Sequence, residues 1–236
     1  TAVGSGSLGS STTASQNTAV GRVTLNANTT GTANVAVGYQ ALENNTTASY
    51  NTAVGAYAAD ALTTGAQNTV VGYNAFTSAT GAAYSVALGY RSLLNATTSS
   101  YNTAVGYDSM KDTTTGANNT ALGGRSLQSC TTGSSNVALG DYALNISTTA
   151  SNNTAIGTQA LRNNTTGTQN VAVGTNTLDA NTTGYYNTAV GPYSLGANTT
   201  GYSNTAIGWK ALETNTAGAG NVAIGDEAMA NTTTSS

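Results

Sequence analysis

Residues 34–50 read Asn-Val-Ala-Val-Gly-Tyr-Gln-Ala-Leu-Glu-Asn-Asn-Thr-Thr-Ala-Ser-Tyr, and residues 51–67 read Asn-Thr-Ala-Val-Gly-Ala-Tyr-Ala-Ala-Asp-Ala-Leu-Thr-Thr-Gly-Ala-Gln. The two stretches share one pattern, which recurs every 17 residues along a chain of 236 residues without an insertion. We number the repeat from its first Asn, so the consensus is Asn-Thr-Ala-Val-Gly-x-x-Ala-Leu-x-x-Asn-Thr-Thr-Gly-x-x. A fixed period of this kind is typical of repeat architectures.

The length and composition of the repeat predict an all-β parallel β-solenoid, or β-roll, of fourteen 17-residue coils. Positions 2 to 4 alternate as Thr or Val, Ala and Val, which is the period-2 pattern of a strand. Positions 8 and 9 predict a second short strand or a corner with Leu facing inward, and Asn-Thr-Thr-Gly predicts the return turn. We expect a single array over residues 1–236 that is a segment of a longer fibre protein.

The Gly at repeat position 5 is expected to end each strand, because Gly readily adopts a positive φ. The structural turn glycines are Gly21, Gly38, Gly55, Gly72, Gly89, Gly106, Gly123, Gly140, Gly157, Gly174, Gly191, Gly208 and Gly225. Equal coil length places each residue above its counterpart in the next coil. The Asn at position 1 and the Thr at position 13 are therefore expected to form side-chain ladders.

The charges follow the repeat closely. All fifteen charged residues fall at positions 6, 7, 10 and 11, which predicts a solvated edge there. The remaining outward positions reject charge, and we expect some of them, such as the Ala at position 3, to face another chain. One Val at position 4 and one Leu at position 9 would make a thin apolar core, and oligomerisation is a usual remedy for a deficient core. The chain is therefore expected to bind itself as a homo-oligomer.

Several classes of chemistry find no support in the sequence. There is no His, the single adjacent carboxylate pair Asp226-Glu227 lies at charged-edge positions, and Asp is too sporadic for a metal in every coil. No phosphate-binding loop is present. We therefore predict no enzyme, no catalytic residue, no metal and no cofactor. The chain has only six Lys and Arg residues, which argues against nucleic acid as a partner. No apolar run is long enough for membrane insertion. Cys130 is expected to be a tolerated small side chain.

Aromatic rings and sequons are the two features that could mediate binding. Exposed rings could stack on sugars or anchor a protein interface, or they could instead stack on one another. The aromatic candidates for a ligand or interface are Tyr39, Tyr73, Tyr90, Tyr107, Trp209, Tyr185, Tyr186 and Tyr202. The Asn-Thr-Thr segments are either glycan acceptors or turn Asn followed by ladder Thr. Five of these segments begin at Asn28, Asn45, Asn164, Asn181 and Asn198.

The strand motif carries a resemblance to known fibre proteins. The segments Asn153-Thr154-Ala155-Ile156-Gly157 and Asn221-Val222-Ala223-Ile224-Gly225 resemble the head repeats of YadA-like trimeric autotransporter adhesins, and residues 34–42 look like repeats of phage tail-fibre proteins. The adhesin repeat is shorter than the repeat here. The resemblance implies a left-handed, trimeric β-roll on a cell surface or virion, with a host-surface glycan or protein as an external partner.

These observations favour a structural or adhesive fibre segment, the shaft or head of a phage tail fibre or bacterial surface adhesin. One alternative is an ice-binding solenoid with Thr ladders, although the adjacent Thr at positions 13 and 14 point opposite ways and supply only one outward rank. The other alternative is a subunit of a self-assembling extracellular filament.

Overall fold

A computed structural model describes residues 1–233 as an all-β chain with one short strand in each repeat, at positions 2 to 4. The strands are β1 (Ala2–Val3), β2 (Thr18–Val20), β3 (Val35–Val37), β4 (Thr52–Val54), β5 (Thr69–Val71), β6 (Val86–Leu88), β7 (Thr103–Val105), β8 (Thr120–Leu122), β9 (Val137–Leu139), β10 (Thr154–Ile156), β11 (Val171–Val173), β12 (Thr188–Val190), β13 (Thr205–Ile207) and β14 (Val222–Ile224). The chain divides into two compact units, Thr1–Asn118 and Asn119–Ser236.

Each unit is a parallel β-solenoid, which confirms the predicted fold. In the first unit β1 to β7 pair in chain order, and in the second unit β8 to β14 do the same. The register is always one repeat, so that Ala36 lies beside Ala53 and Val37 beside Val54. The single array over residues 1–236 stays a prediction.

The second predicted strand is absent from the described coils, because the backbone at positions 7 and 9 turns sharply. Gln40 at position 7 has φ of 57° and Leu42 at position 9 has φ of 50°, and Tyr50 at position 17 has φ of 63°. The other coils repeat these three left-handed positions. A left-handed conformation costs a non-Gly residue about 1–2 kcal/mol, so the stacking contacts of each coil must offset this strain.

The turn glycines behave as predicted. All those at position 5 have φ from 125° to 143°. A Cβ on Gly21 would lie 2.5 Å from the carbonyl oxygen of Gly38, the equivalent residue of the next coil. Position 5 therefore needs Gly both for its backbone conformation and for the close approach of neighbouring coils.

The interior of each coil is narrower than the sequence suggested. Ala36 and Ala53 at position 3 are fully buried, as are Leu42 and most other residues at position 9. The expectation that Ala at position 3 faces another chain is therefore wrong, and so is the expectation that Val at position 4 belongs to the core: Val20 is 37% exposed. Position 3 is Ala in nearly every coil, but the coil of residues 68–84 buries Val70 at position 3 together with Phe76 at position 9.

The Asn at position 1 forms the predicted ladder inside the coil. The backbone N–H of Asn170 donates to Oδ1 of Asn153 at 3.0 Å, and the side-chain amide of Asn170 donates to the same oxygen at 3.2 Å. The Nδ2 of Asn153 donates to the carbonyl of Gly167 in its own coil at 2.9 Å. Each buried amide thus satisfies the backbone of two coils, which buried polar groups require.

Two further ladders run along the return turn. At position 13 the Thr165 hydroxyl donates to the carbonyl of Thr182 at 3.0 Å, which confirms the predicted Thr ladder. At position 12 the Nδ2 of Asn181 donates to Oδ1 of Asn164 at 2.8 Å and to the carbonyl of Gly184 at 3.0 Å. The sequence analysis did not predict this second Asn ladder.

The position 1 ladder can be tested at its one exception, Ser85. Its Oγ accepts a 3.3 Å hydrogen bond from the N–H of Asn102 and donates to the carbonyl of Ala83 at 3.2 Å. We expect Ser85→Asn to raise the free energy of unfolding by about 1 kcal/mol, because the amide adds bonds that serine cannot make. The matched change Asn153→Ser should lower the free energy of unfolding by about 1–3 kcal/mol, because it leaves buried partners unpaired. Urea denaturation measures both, and effects of the same sign in the two variants would contradict a ladder that stabilises the coil.

Candidate functional site

The outward face of the strands is an exposed and uncharged surface in each unit. Every residue at positions 2 and 4 is Thr, Val, Leu or Ile, and we call these two columns the apolar strand face. Val71 is 40% exposed, and Ile156 and Ile207 are each 38% exposed. Contiguous apolar surface of this kind marks interaction sites.

The predicted solvated edge is confirmed with one exception. Every charged side chain at positions 6, 7, 10 and 11 is at least partly exposed apart from Asp108. Arg91 covers that carboxylate with two hydrogen bonds, from Nη2 at 2.6 Å and from Nε at 2.8 Å. This bond to Asp108 raises the pKa of Arg91 above its ordinary value. The pair joins two consecutive coils.

The tyrosines at positions 6 and 7 of the first unit form a continuous row. Tyr57 lies edge-on between Tyr39 and Tyr73, with ring centroids 5.3 and 5.9 Å apart. Tyr90 is stacked between Tyr73 and Tyr107, at 5.8 and 5.4 Å. The rings therefore cover one another, as the alternative reading of these residues predicted, and most ring faces within the row are occupied.

The remaining aromatic candidates also have partners. At positions 16 and 17, Tyr185 stacks on Tyr202 with centroids 5.0 Å apart and meets Tyr186 edge-on at 5.2 Å. Trp209 at position 6 has the Lys210 ammonium 4.8 Å from its ring centroid. The structure thus brings the candidates together in short local groups rather than in one binding site.

In each unit a shallow groove between side chains at positions 7 and 10 forms a cavity that the sequence did not predict. The larger cavity has a volume of about 600 Å³ and lies in the second unit. Its lining residues are Gln159, Asn176, Asp179, Tyr193, Gly196, Ala197, Glu213 and Thr214. The smaller cavity has a volume of about 320 Å³ and lies in the first unit. Its lining residues are Tyr57, Asp60, Tyr73, Asn74 and Thr77.

Both cavities contain a carboxylate that is poorly solvated. Burial raises the pKa of Asp60, two backbone hydrogen bonds oppose the rise, and the negative charge of Glu43 adds to it. Burial also raises the pKa of Asp179, and the positive charge of Arg162 opposes the rise. In both cavities one carboxylate oxygen, Oδ1, is buried without a hydrogen-bond donor.

Cys130 and five sequon asparagines have structural roles inside the folded coils. Burial raises the pKa of the Cys130 thiol to about 11, and its sulfur donates to the carbonyl of Gly133, the place that Asn takes in the position 12 ladder of other coils. The five sequon asparagines named in the sequence analysis are fully buried in the position 12 ladder and cannot accept a glycan once the chain has folded. They are Asn28, Asn45, Asn164, Asn181 and Asn198. Asn231, which also begins an Asn-Thr-Thr segment, is exposed.

Within residues 1–233, no three His, Cys, Asp or Glu side chains lie together as metal ligands would, and no helix is long and apolar enough to cross a membrane. Comparison with protein-family models, curated proteins and solved structures gives no match to the chain.

The buried carboxylate of Asp60 makes stability depend on pH. Its pKa is higher in the folded than in the unfolded chain, so the folded chain binds more protons between the two values and gains stability as the pH falls through that window. We expect Asp60→Asn to raise the melting temperature at neutral pH, because the ionised group no longer has to be buried.

The advantage of Asp60→Asn should vanish near pH 3, where the wild-type carboxyl is protonated in both states, and calorimetric scans at the two pH values measure it. The control is Asp141→Asn, at an exposed position, which should leave the melting temperature unchanged. A gain that persists undiminished at low pH would contradict this account.

Proposed function

We propose that this chain is a non-catalytic structural and adhesive segment of an extracellular fibre, the shaft or head of a phage tail fibre or bacterial surface adhesin, and that it assembles with copies of itself as a homotrimer. The observation that supports the proposal is the apolar strand face. The solenoid leaves two aliphatic or Thr side chains of every strand in contact with water, and it does so in coil after coil.

The area of this face provides the driving force for association. Removing apolar surface from water contributes about 25 cal/mol per Å². A copy of the chain that covers the face would gain this contribution along every strand of a unit, from β8 to β14 for example. Association costs on the order of 4–15 kcal/mol, so a long face of small repeated gains is suited to form a stable assembly where a single coil would not.

The chemistry of the face argues for a copy of the same chain as its partner. A charged partner surface would lose its hydration against Thr, Val, Leu and Ile and would find no counter-charge there. A second copy presents the same uncharged columns at the same spacing. In a homotrimer the strand faces of the three copies would meet around a threefold axis, which is a closed symmetry.

The adhesive part of the proposal rests on the surfaces that lie outside the strand face. The charged edge, the tyrosine row and the two cavities are formed by positions 6, 7, 10 and 11, none of which belongs to the face. These surfaces would stay accessible after assembly and could contact a glycan or protein of a host surface.

Ice binding is a second candidate function, and the strand face would be its site. The hydroxyl of the Thr at position 13 donates a hydrogen bond to a carbonyl of the next coil, as Thr165 does to Thr182, so it is already engaged within the protein. A regular outward Thr column exists instead at position 2, where nine of fourteen residues are Thr. Ice and a partner chain would need the same strand face, so the two functions exclude each other.

Assembly is tested by placing charge on the strand face. The wild-type chain should have a solution mass close to three times 23.3 kDa by light scattering. Val173→Glu with Val190→Glu should release monomers, because like charges in an apolar interface cost several kcal/mol.

Thr183→Glu with Thr200→Glu is the matched control. It places the same pair of charges in the same two coils, at the exposed position 14, and should leave the mass unchanged. A monomeric wild-type chain, or equal dissociation of both variants, would overturn the proposed assembly.

Thermal hysteresis separates the two candidate functions. We expect no hysteresis from the wild-type chain, because its strand face is covered. Hysteresis in a monomeric wild-type chain that Val173→Glu with Val190→Glu abolishes would establish ice binding instead.

A further inference from the structure

The larger cavity exists because one side chain is missing. Position 10 carries Asp179 in one coil and Glu213 two coils later, and the residue between them is Gly196. The gap over Gly196 opens the groove to a volume of about 600 Å³, with carboxylates at both ends. The φ of Gly196 is not in the left-handed region, so its backbone conformation does not require glycine.

The cavity contains hydrogen-bond acceptors that the protein does not use. Oδ1 of Asp179 and Oδ1 of Asn176 are both buried and have no donor. The Nε of Arg162 is 4.0 Å from Oδ1 of Asp179, which is too far for a hydrogen bond. Both oxygens expose almost no surface, so a ligand donor would reach them after the side chains rotate toward the cavity, and it would then satisfy groups that are otherwise unpaired.

Tyr193 provides an aromatic wall that no other ring covers. It is 42% exposed, and in the described part of the chain it has no ring partner, unlike Tyr90 in the tyrosine row. An uncovered tyrosine face beside carboxylate and amide oxygens suits a ligand with an apolar C–H face and hydroxyl groups at its rim.

The smaller cavity brings the same residue types together in the other unit. Tyr57 and Asn74 occupy position 7 there, and Asp60 occupies position 10, with its Oδ1 again buried and unpaired. The arrangement differs from that of the larger cavity, because Asp60 shares its coil with Tyr57, whereas Asp179 shares its coil with Asn176. Tyr57 is also covered by the rings of Tyr39 and Tyr73, so only the larger cavity offers an uncovered ring.

We propose that the groove over Gly196 is a binding subsite for a neutral or amino sugar unit of a glycan. Vicinal hydroxyls would donate to Asp179 and Asn176, and the pyranose ring would lie against Tyr193. Glu213 closes the other end, where Lys210 pairs with it at 3.3 Å. The two carboxylates disfavour sugar acids by like-charge repulsion. This inference deepens the adhesive part of the proposed function, while self-association does not depend on it.

The test uses the 236-residue chain carrying Asp60→Asn, so that the smaller cavity lacks its carboxylate. Saturation-transfer NMR and calorimetric titration measure binding of a glucosamine tetramer, its N-acetylated counterpart and a sialylated trisaccharide. We expect one or both of the first two to bind with Kd of about 1 mM or tighter, and the sialylated sugar to bind about tenfold more weakly or not at all.

Two variants locate the binding. Gly196→Gln fills the gap, and Asp179→Asn removes the charged acceptor, so each should weaken binding about tenfold or more. Gly9→Gln, the same change at the same repeat position in the first coil, is the matched control and should bind as the parent does. Circular dichroism checks that each variant folds. If Gly196→Gln does not fold, Asp179→Asn still tests the subsite.

The subsite would be overturned if neither the glucosamine tetramer nor its N-acetylated counterpart binds, or if the sialylated sugar binds more tightly than both. Equal affinity of the Gly196→Gln and Gly9→Gln chains would overturn it as well. Light scattering on the same samples separates this result from the assembly. A chain that forms the expected oligomer without binding sugar contradicts only the subsite, and a monomer that binds sugar contradicts only the assembly.

Discussion

The rest of the structure depends on the side-chain amide at repeat position 1. Asn153 accepts from the backbone of the coil that follows and donates to a carbonyl of its own coil, all within a buried interior. This double role is met only when consecutive coils have the same length, since a single inserted residue would carry the next amide away from its partners. The constant 17-residue period is thus a hydrogen-bonding requirement, and the stacked strands and tyrosine rows follow from it.

Much of the fold could be predicted from the sequence, because the 17-residue period determines which residues lie above one another in consecutive coils. The parallel solenoid, the inward Leu42, the positive φ of Gly38 and the ladders at positions 1 and 13 all follow from stacking identical chemistry. The solvated edge was predictable for the same reason, because charged residues avoid an interior this narrow. Asp108 departs from the pattern because Arg91 of the preceding coil neutralises it.

The remainder was not predictable for identifiable reasons. Alternation in a strand shows that positions 2 and 4 share a face, but it does not say whether Ala36 or Val37 points inward, since both are apolar. The structure buries Ala36 together with Leu42 and leaves Val37 partly exposed. The left-handed backbone at positions 7, 9 and 17 could not be recognised from the sequence. A positive φ usually favours Gly, but these positions carry residues such as Leu, Tyr and Gln. The cavity over Gly196 forms because this coil lacks a side chain at position 10 between Asp179 and Glu213, and no local sequence motif indicates such a gap.

The burial of the Asn that begins an Asn-Thr-Thr segment, such as Asn164, has a consequence for how the protein can be produced. Eukaryotic secretory cells attach oligosaccharides to such segments while a chain is still unfolded. A glycan on the amide of Asn164 or Asn181 would occupy the nitrogen that must later donate inside the coil. The bulky sugar and the closed interior are incompatible, so a chain modified at these sites could not complete its ladder. The choice of expression host, through its glycosylation machinery, therefore decides whether the solenoid forms at all.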